Sequence, residues 1–260
     1  MLLGSVAIAC LIILFAFLFS HSASTSSPAG EAQRIAHVPI FTYHLVRMPY
    51  ADDTPALRNY LVTSGVFDQQ MSYLRDNGYH VVTFSDLEDY LDAGIPLPSK
   101  PVILSFDDGW VSQFTDAFPI LQKYHFRATF FIFTNPIGEH GFMTWDEIRA
   151  LSDSGMVIGS HSRSHPFLAK ITYAPALWDE IANSKKIIES HTGATTNEFA
   201  YPFGSYNRAV IADVVKAGYK AARIFSTAST SPIHTAAEIY TLTTFMAPKS
   251  LSDFEKDLSQ

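Results

Sequence analysis

From Val38 onward, short apolar runs alternate with segments whose apolar residues recur every three to four positions. Runs of four to eight predict strands, and the longer period predicts amphipathic helices. Val38–Tyr43 reads as the first strand. Val66, Phe67, Gln70, Met71, Tyr73 and Leu74 share one face of a helix that Asn77-Gly78 closes. Val81–Phe84 reads as a strand, and Ser85 with Glu88 forms a capping-box pattern opening the next helix. Pro101–Phe106 and Ala128–Phe133 read as buried strands. Thr144 and Glu147 repeat the capping-box pattern ahead of Ile148 and Leu151. A strand over Val157–Ser160 precedes a helix over Leu177–Thr192, ended by Gly193. A strand at Phe199–Tyr201, a helix at Asn207–Ala217 and strands at Ala221–Phe225 and Tyr240–Met246 complete the series, with a short helix after Ser250.

This alternation implies an α/β domain built on a mainly parallel sheet. About seven strand–helix units in a chain of 260 residues point to a barrel rather than an open sheet. In either architecture the chemistry lies at the carboxyl ends of the strands.

The N-terminus stands apart from this pattern. Leu2 to Phe19 is apolar except for Gly4 and Ser5, and a polar spacer from His21 to Pro28 follows. A helix of that length, at ~1.5 Å per residue, roughly matches a bilayer's hydrocarbon core. Residues 1–22 read as a signal peptide or an N-terminal membrane anchor, residues 23–36 as a linker, and residues 37–260 as the folded domain. The expected location is therefore extracytoplasmic: secreted, periplasmic or anchored to the membrane.

Composition narrows the function. The net charge is -7 and no basic run occurs, which disfavours nucleic acid as a partner. The single cysteine, Cys10, leaves no internal disulfide and no multi-cysteine zinc site. Any metal must be held by histidine and carboxylate.

The strand ends supply such groups. Asp107-Asp108-Gly109 follows the Pro101–Phe106 strand. Adjacent carboxylates repel unless a positive group sits between them, and a metal on one would leave the other free as a base. The same pair also suits a simple turn or helix cap. His161 and His165 follow the Val157–Ser160 strand, at a spacing that faces both one way in a helical or turn-like segment. Asp108, His161 and His165 would make three protein ligands with one position open, and Asp107 would accept a proton from water. Tyr201-Pro202-Phe203-Gly204-Ser205-Tyr206 ends a third strand and suits a sugar-stacking wall with a backbone donor, taken as that of Tyr206, for an oxyanion. His44 ends the first strand and suits a general acid for a departing amine. Trp110 and Phe203 are expected to line a sugar cleft, and Trp145, beside a helix cap, to pack in the core. Thr134–Met143 reads as either a lid or a plain loop.

These segments resemble the polysaccharide deacetylases of the NodB-homology type, carbohydrate esterase family four. Ser-Phe-Asp-Asp-Gly at 105–109 is similar to the first motif of that family, with Ser for the usual Thr. His161–His165 matches its His-(Ser/Thr)-x-x-His motif, and Tyr201–Gly204 resembles the third. The resemblance covers about residues 38–258. It implies a distorted (β/α)7, TIM-like barrel, a divalent metal (most often Zn2+), and N-deacetylation of an acetylated amino-sugar polysaccharide. It also implies Asp107 as base and Asp108, His161 and His165 as metal ligands. The stretch Val38–His44 resembles the branch acting on poly-N-acetylglucosamine, with His44 as general acid. Three rival readings stand beside this one: deacetylation of peptidoglycan, deacetylation of acetylated xylan, and a catalytically weak carbohydrate-binding protein on the same scaffold. The last is motivated by departures from the pattern. Many members carry an arginine two residues before the third-motif proline to orient the catalytic aspartate, and here that position is Ala200. Late in the chain, Leu242-Thr243-Thr244 stands where Leu-Pro-Arg is common, and His234 reads as a loop residue.

Overall fold

The computed structural model describes residues 34–225 and 230–260. The apolar segment 1–22 and nearly all of the linker expected at 23–36 lie outside the described residues. Among the described residues, no helix is long and apolar enough to cross a membrane.

The strands, in chain order, are β1 (Ile35–His37), β2 (Ile40–Tyr43), β3 (Leu45–Val46), β4 (Leu61–Val62), β5 (His80–Val82), β6 (Pro101–Asp108), β7 (Thr129–Ile132), β8 (Val157–Ser160), β9 (Glu198–Ala200), β10 (Ala221–Arg223), β11 (Ile233–Thr235) and β12 (Phe245–Met246). The main sheet runs β10-β9-β8-β7-β6-β2-β12, with β5 also paired to β6. Every pairing in it is parallel. A parallel bridge between Arg223 and Leu242 joins β10 to the stretch that leads into β12, while β12 pairs with β2. The curled sheet therefore returns toward its own start, as expected for a distorted barrel.

Burial follows the period of two. Phe41, Val102, Leu104, Phe130 and Ile132 pack with Phe67, Met71, Leu121, Ile148 and Leu151 of the surrounding helices. Their alternates Ile40, Ile103 and Phe131 meet Ala200, Ala221 and Leu242 in a second cluster. Residues from so many strands can meet only on the concave side of the curl. Both faces are thus buried, which is why these strands read as continuous apolar runs.

Several local expectations change. The helix expected to open at Ser85 is Phe84–Ala93, and its capping box is Thr83 with Asp86 rather than Ser85 with Glu88. Thr83 has the extended backbone of a cap, and its hydroxyl accepts from the Asp86 N–H. Ser85 instead donates to the buried Glu198. The helix expected over Leu177–Thr192 is split into Ala174–Trp178, a π-turn at Asp179–Asn183, and Ser184–Thr192. The strand expected at Tyr240–Met246 shrinks to Phe245–Met246, because a turn runs through Tyr240 and Leu242 makes only an isolated bridge, to Arg223. His234 is no loop residue: it lies in β11, buried, with Nε2 against the Val38 carbonyl at 3.1 Å.

Candidate active site

Strand β6 carries the site, and its pairing with β7 runs through Asp107 and Asp108 to its end. Asp107 is buried. Asp108 has φ +77° and Gly109 φ +84°, so the chain leaves the strand through two left-handed residues. Asp is among the few residues that tolerate this conformation. Gly109 is required: a Cβ there would press on Ile132 at 3.0 Å, besides the strained φ.

The histidine segment is not helical. His161 sits just past β8, and the turn reverses through Ser162 (φ +68°) and His165 (φ +59°). That turn, rather than a helical face, brings the two rings together. Ser162 Oγ accepts from the His165 N–H at 3.0 Å. Glu180 braces the turn by accepting from the N–H groups of Arg163 and Ser164, each at 2.9 Å, and from the Ser164 hydroxyl. Among the described residues, Asp108, Ser162, His165 and Phe203 account for four of the six non-glycine residues with positive φ. Backbone strain of this kind concentrates at functional sites.

The side chains converge. His161 Nε2 and His165 Nε2 are 3.1 Å apart, and Asp108 Oδ1 lies 3.8 Å from the first and 3.5 Å from the second. Tetrahedral zinc with ~2.0 Å bonds sets its ligand atoms about 3.3 Å apart, so the three atoms fit around one ion. His161 Nδ1 faces the Ala200 carbonyl at 2.8 Å, which makes it the protonated nitrogen and leaves the Nε2 lone pair facing the cluster. Burial pushes His161 down to about 3 and also lowers His165, with the Asp108 carboxylate opposing both shifts. Both rings are therefore neutral at pH 7, the form in which histidine binds metal.

Asp107 stands beside this triad. Its Oδ1 accepts from Arg223 Nη2, and its Oδ2 faces His44 Nε2 at 3.8 Å and His161 Nε2 at 3.9 Å. Gln113 Nε2 donates both to the Asp107 carbonyl and to the His44 carbonyl, tying the ends of β6 and β2 together. Burial pushes Arg223 down, to about 9, which still leaves it charged at neutral pH. His44 is pushed down to about 4, first by burial and then by Arg223 and His165, against the pull of Asp108.

A cavity of about 420 Å³ opens over these groups. Of the residues expected at the site, it is lined by His44, Asp107, Asp108, Trp110, His161, His165, Tyr201 and Phe203. Leu45, Leu57, Tyr60 and Phe225 add an apolar wall that the chemistry-bearing motifs do not mark. Pro202, Gly204 and Tyr206 are not part of the lining. Gly204 acts through the backbone instead: at φ +62°, a Cβ would collide with the Phe225 carbonyl. Tyr206 rests against Tyr201, with ring centroids 5.4 Å apart. Trp145 stacks on His191 at 4.0 Å, far from any site role and as expected for packing.

The family model for the polysaccharide deacetylase domain matches residues 94–222. The chain belongs to the polysaccharide deacetylase family. YxkH of Bacillus subtilis (strain 168), a protein assigned to the polysaccharide deacetylases, is 30% identical over 190 residues, covering 73% of this chain and 65% of YxkH. The chain thus spans a little under two thirds of that relative's length. A poly-beta-1,6-N-acetyl-D-glucosamine N-deacetylase of Staphylococcus aureus (strain MRSA252) is 25% identical over 199 residues, covering 68% of each chain. The fold matches that of IcaB from Ammonifex degensii, with a TM-score of 0.73 and 24% identity over 86% of this chain and 96% of that one. For a polysaccharide deacetylase domain, the histidine and the arginine that face Asp107 both lie outside the matched stretch. His44 precedes it, and Arg223 follows its last residue.

Arg223 is the functional residue that sequence reasoning missed. The guanidinium expected near position 200 arrives from the next strand instead. Its signal was an arginine inside an otherwise apolar strand, Ala221-Ala222-Arg223-Ile224-Phe225, which is costly unless a buried carboxylate awaits it.

Proposed function

We propose that this chain hydrolyses acetamide groups on an acetylated amino-sugar polysaccharide, with poly-N-acetylglucosamine as the favoured polymer. The observation that carries the proposal is the convergence of the Asp108–His161–His165 triad with Asp107, itself paired to Arg223, on the floor of one cavity. The triad would hold a divalent ion, zinc by its nitrogen and carboxylate donors. When bound, such an ion supplies Lewis acidity, polarising a carbonyl and making a water molecule more acidic.

The chain's own groups do the rest. Arg223 occupies Asp107 Oδ1, so Oδ2 is the oxygen left to take a proton from the attacking water. The water oxygen bonds to the acetamide carbon, and the carbon–nitrogen bond breaks. His44, neutral before reaction and 3.8 Å from Asp107 Oδ2, can receive that proton and deliver it to the departing nitrogen. The products are acetate and a free amino sugar. Leu45, Leu57, Tyr60, Phe203 and Phe225 make the walls largely apolar, suited to sugar faces and to the acetyl methyl group.

The poly-N-acetylglucosamine preference rests on relatives that carry that name and on the Val38–His44 resemblance. An extracytoplasmic site of action, with the membrane as a partner if Leu2–Phe19 is retained, rests on that apolar run. The glycan-binding alternative is the weaker reading, because Arg223 gives Asp107 the guanidinium that the sequence lacks at Ala200.

Acetate release from poly-N-acetylglucosamine oligomers tests the proposal, using the full-length chain with zinc, with chelator, and as Asp107→Asn. Zinc-dependent release that vanishes in the variant is expected. A zinc-loaded chain that releases no acetate from any acetylated glycan offered, peptidoglycan and xylan included, would sink it.

A further inference from the structure

Trp110 follows the Asp108-Gly109 turn, and its indole does more than line the cavity. Its Nε1–H donates to Asp108 Oδ2 at 2.9 Å, while Oδ1 of the same carboxylate faces the two histidines. The indole is itself fixed. It stacks on Phe142 with centroids 4.6 Å apart and planes 18° apart, and Phe142 in turn meets Phe133 edge-on. The backbones of Trp110 and Phe142 form an antiparallel bridge. The Val111 N–H donates to the Gly141 carbonyl and the Met143 N–H to the Gly109 carbonyl, each at 2.9 Å. The segment Pro136–Met143 is therefore zipped onto the turn that holds Asp108.

We infer that Trp110 is a positioning residue that makes Asp108 a one-oxygen ligand, with the Pro136–Met143 segment as the brace that holds the indole in place. The inference rests on the reading of Asp108, His161 and His165 as metal ligands. A carboxylate on a left-handed residue at a strand end can rotate, and it can offer a metal two oxygens. An indole N–H is a donor only, so it occupies Oδ2 without competing for the ion. Its bond to a carboxylate is charge-assisted and correspondingly strong. Oδ1 alone then remains at the spacing a tetrahedral ion requires. Partners that orient metal ligands in this way typically change affinity about 10- to 100-fold when removed.

The test is zinc affinity of the full-length chain, measured by competition with a chromophoric chelator, for wild type and Trp110→Phe. Phenylalanine keeps a ring to stack on Phe142 and removes only the donor. The expected result is zinc binding weakened about tenfold or more, with the unfolding temperature of the zinc-free protein little changed. Zinc affinity within about threefold of wild type would overturn the inference. A wild-type chain that takes up no zinc overturns the metal reading itself, and this inference with it, before any variant is compared. Should Trp110→Phe fail to fold, the indole N–H signal of Trp110 itself decides. With Trp145→Phe and Trp178→Phe in place, the remaining Trp110 signal is expected to shift on zinc addition and to exchange slowly with solvent. A signal that neither shifts nor is protected would overturn the inference.

Discussion

Arg223 and Asp107, 116 residues apart in sequence, form an ion pair with both side chains almost wholly buried. Arg223 Nη2 meets Asp107 Oδ1, and the same guanidinium lies over the Phe131 ring at 4.6 Å. The pair fixes which carboxylate oxygen faces the cavity and sets a positive charge against a buried carboxylate.

Removing one partner of such a pair leaves the other charge buried alone, at a cost of about 3–5 kcal/mol. Arg223→Met is expected to lower stability by that order and to remove most acetate release even where the protein remains folded. Denaturant unfolding and single-point assays check both. The double variant Arg223→Met/Asp107→Asn is expected to recover stability but not activity. A double variant no more stable than Arg223→Met would show that the pair is not what the single change breaks.

Zinc should stabilise the folded chain by mass action, about 2.7 kcal/mol at a hundredfold excess over the dissociation constant. The rise in unfolding temperature on adding zinc is expected to reverse with chelator and to be lost in His161→Ala and Asp108→Ala. An equal rise in those variants would place the zinc elsewhere.

The cavity histidines set the acid limit of the metal-free protein. His44 is held down to about 4 and His161 to about 3, against the ordinary 6.5, chiefly by burial. Above pH 6.5 both are neutral whether the chain is folded or not, so the folded state is at no disadvantage. Below it, the unfolded chain takes up protons that the folded chain refuses. Stability in chelator should therefore fall between about pH 6.5 and pH 4, by about 1.4 kcal/mol per pH unit for each such group. His44→Gln is expected to show a shallower fall in urea titrations at pH 7 and pH 5. Equal slopes would mean that His44 titrates normally in the folded protein.

Gly204 is tested by Gly204→Ala. Its φ of +62° and the Phe225 carbonyl where a Cβ would sit predict a loss of stability on the order of 1–3 kcal/mol. Because Phe225 forms one cavity wall, KM for the oligomer should rise more than kcat falls. An unchanged KM would place Phe225 outside the substrate's reach.

Much of this protein is legible in the linear chain because the information is local. Apolar runs in the strands report burial on both faces, and Thr144 with Glu147 makes the capping box its spacing predicts. Asp107 and Asp108 close a strand and His161 and His165 follow one, at the strand ends where an α/β fold gathers its chemistry, so their type and place could be read without coordinates. What the chain does not reveal is pairing across distance. Thr83 takes the cap from Ser85 because the start of a helix depends on where the preceding strand releases it. Whether His161 and His165 meet depends on a turn with two left-handed residues, which no helical spacing describes. Arg223 reaches Asp107 because the curl of the parallel sheet brings the end of β10 to that of β6, although three strands lie between them in the sheet. Trp110 reaches Asp108 Oδ2 because a segment some thirty residues further on braces its ring. The sequence by itself determined the fold class and the chemically active groups. The tertiary structure alone decided which charge answers which, since buried electrostatics depends on distances of a few ångströms between residues far apart in the chain.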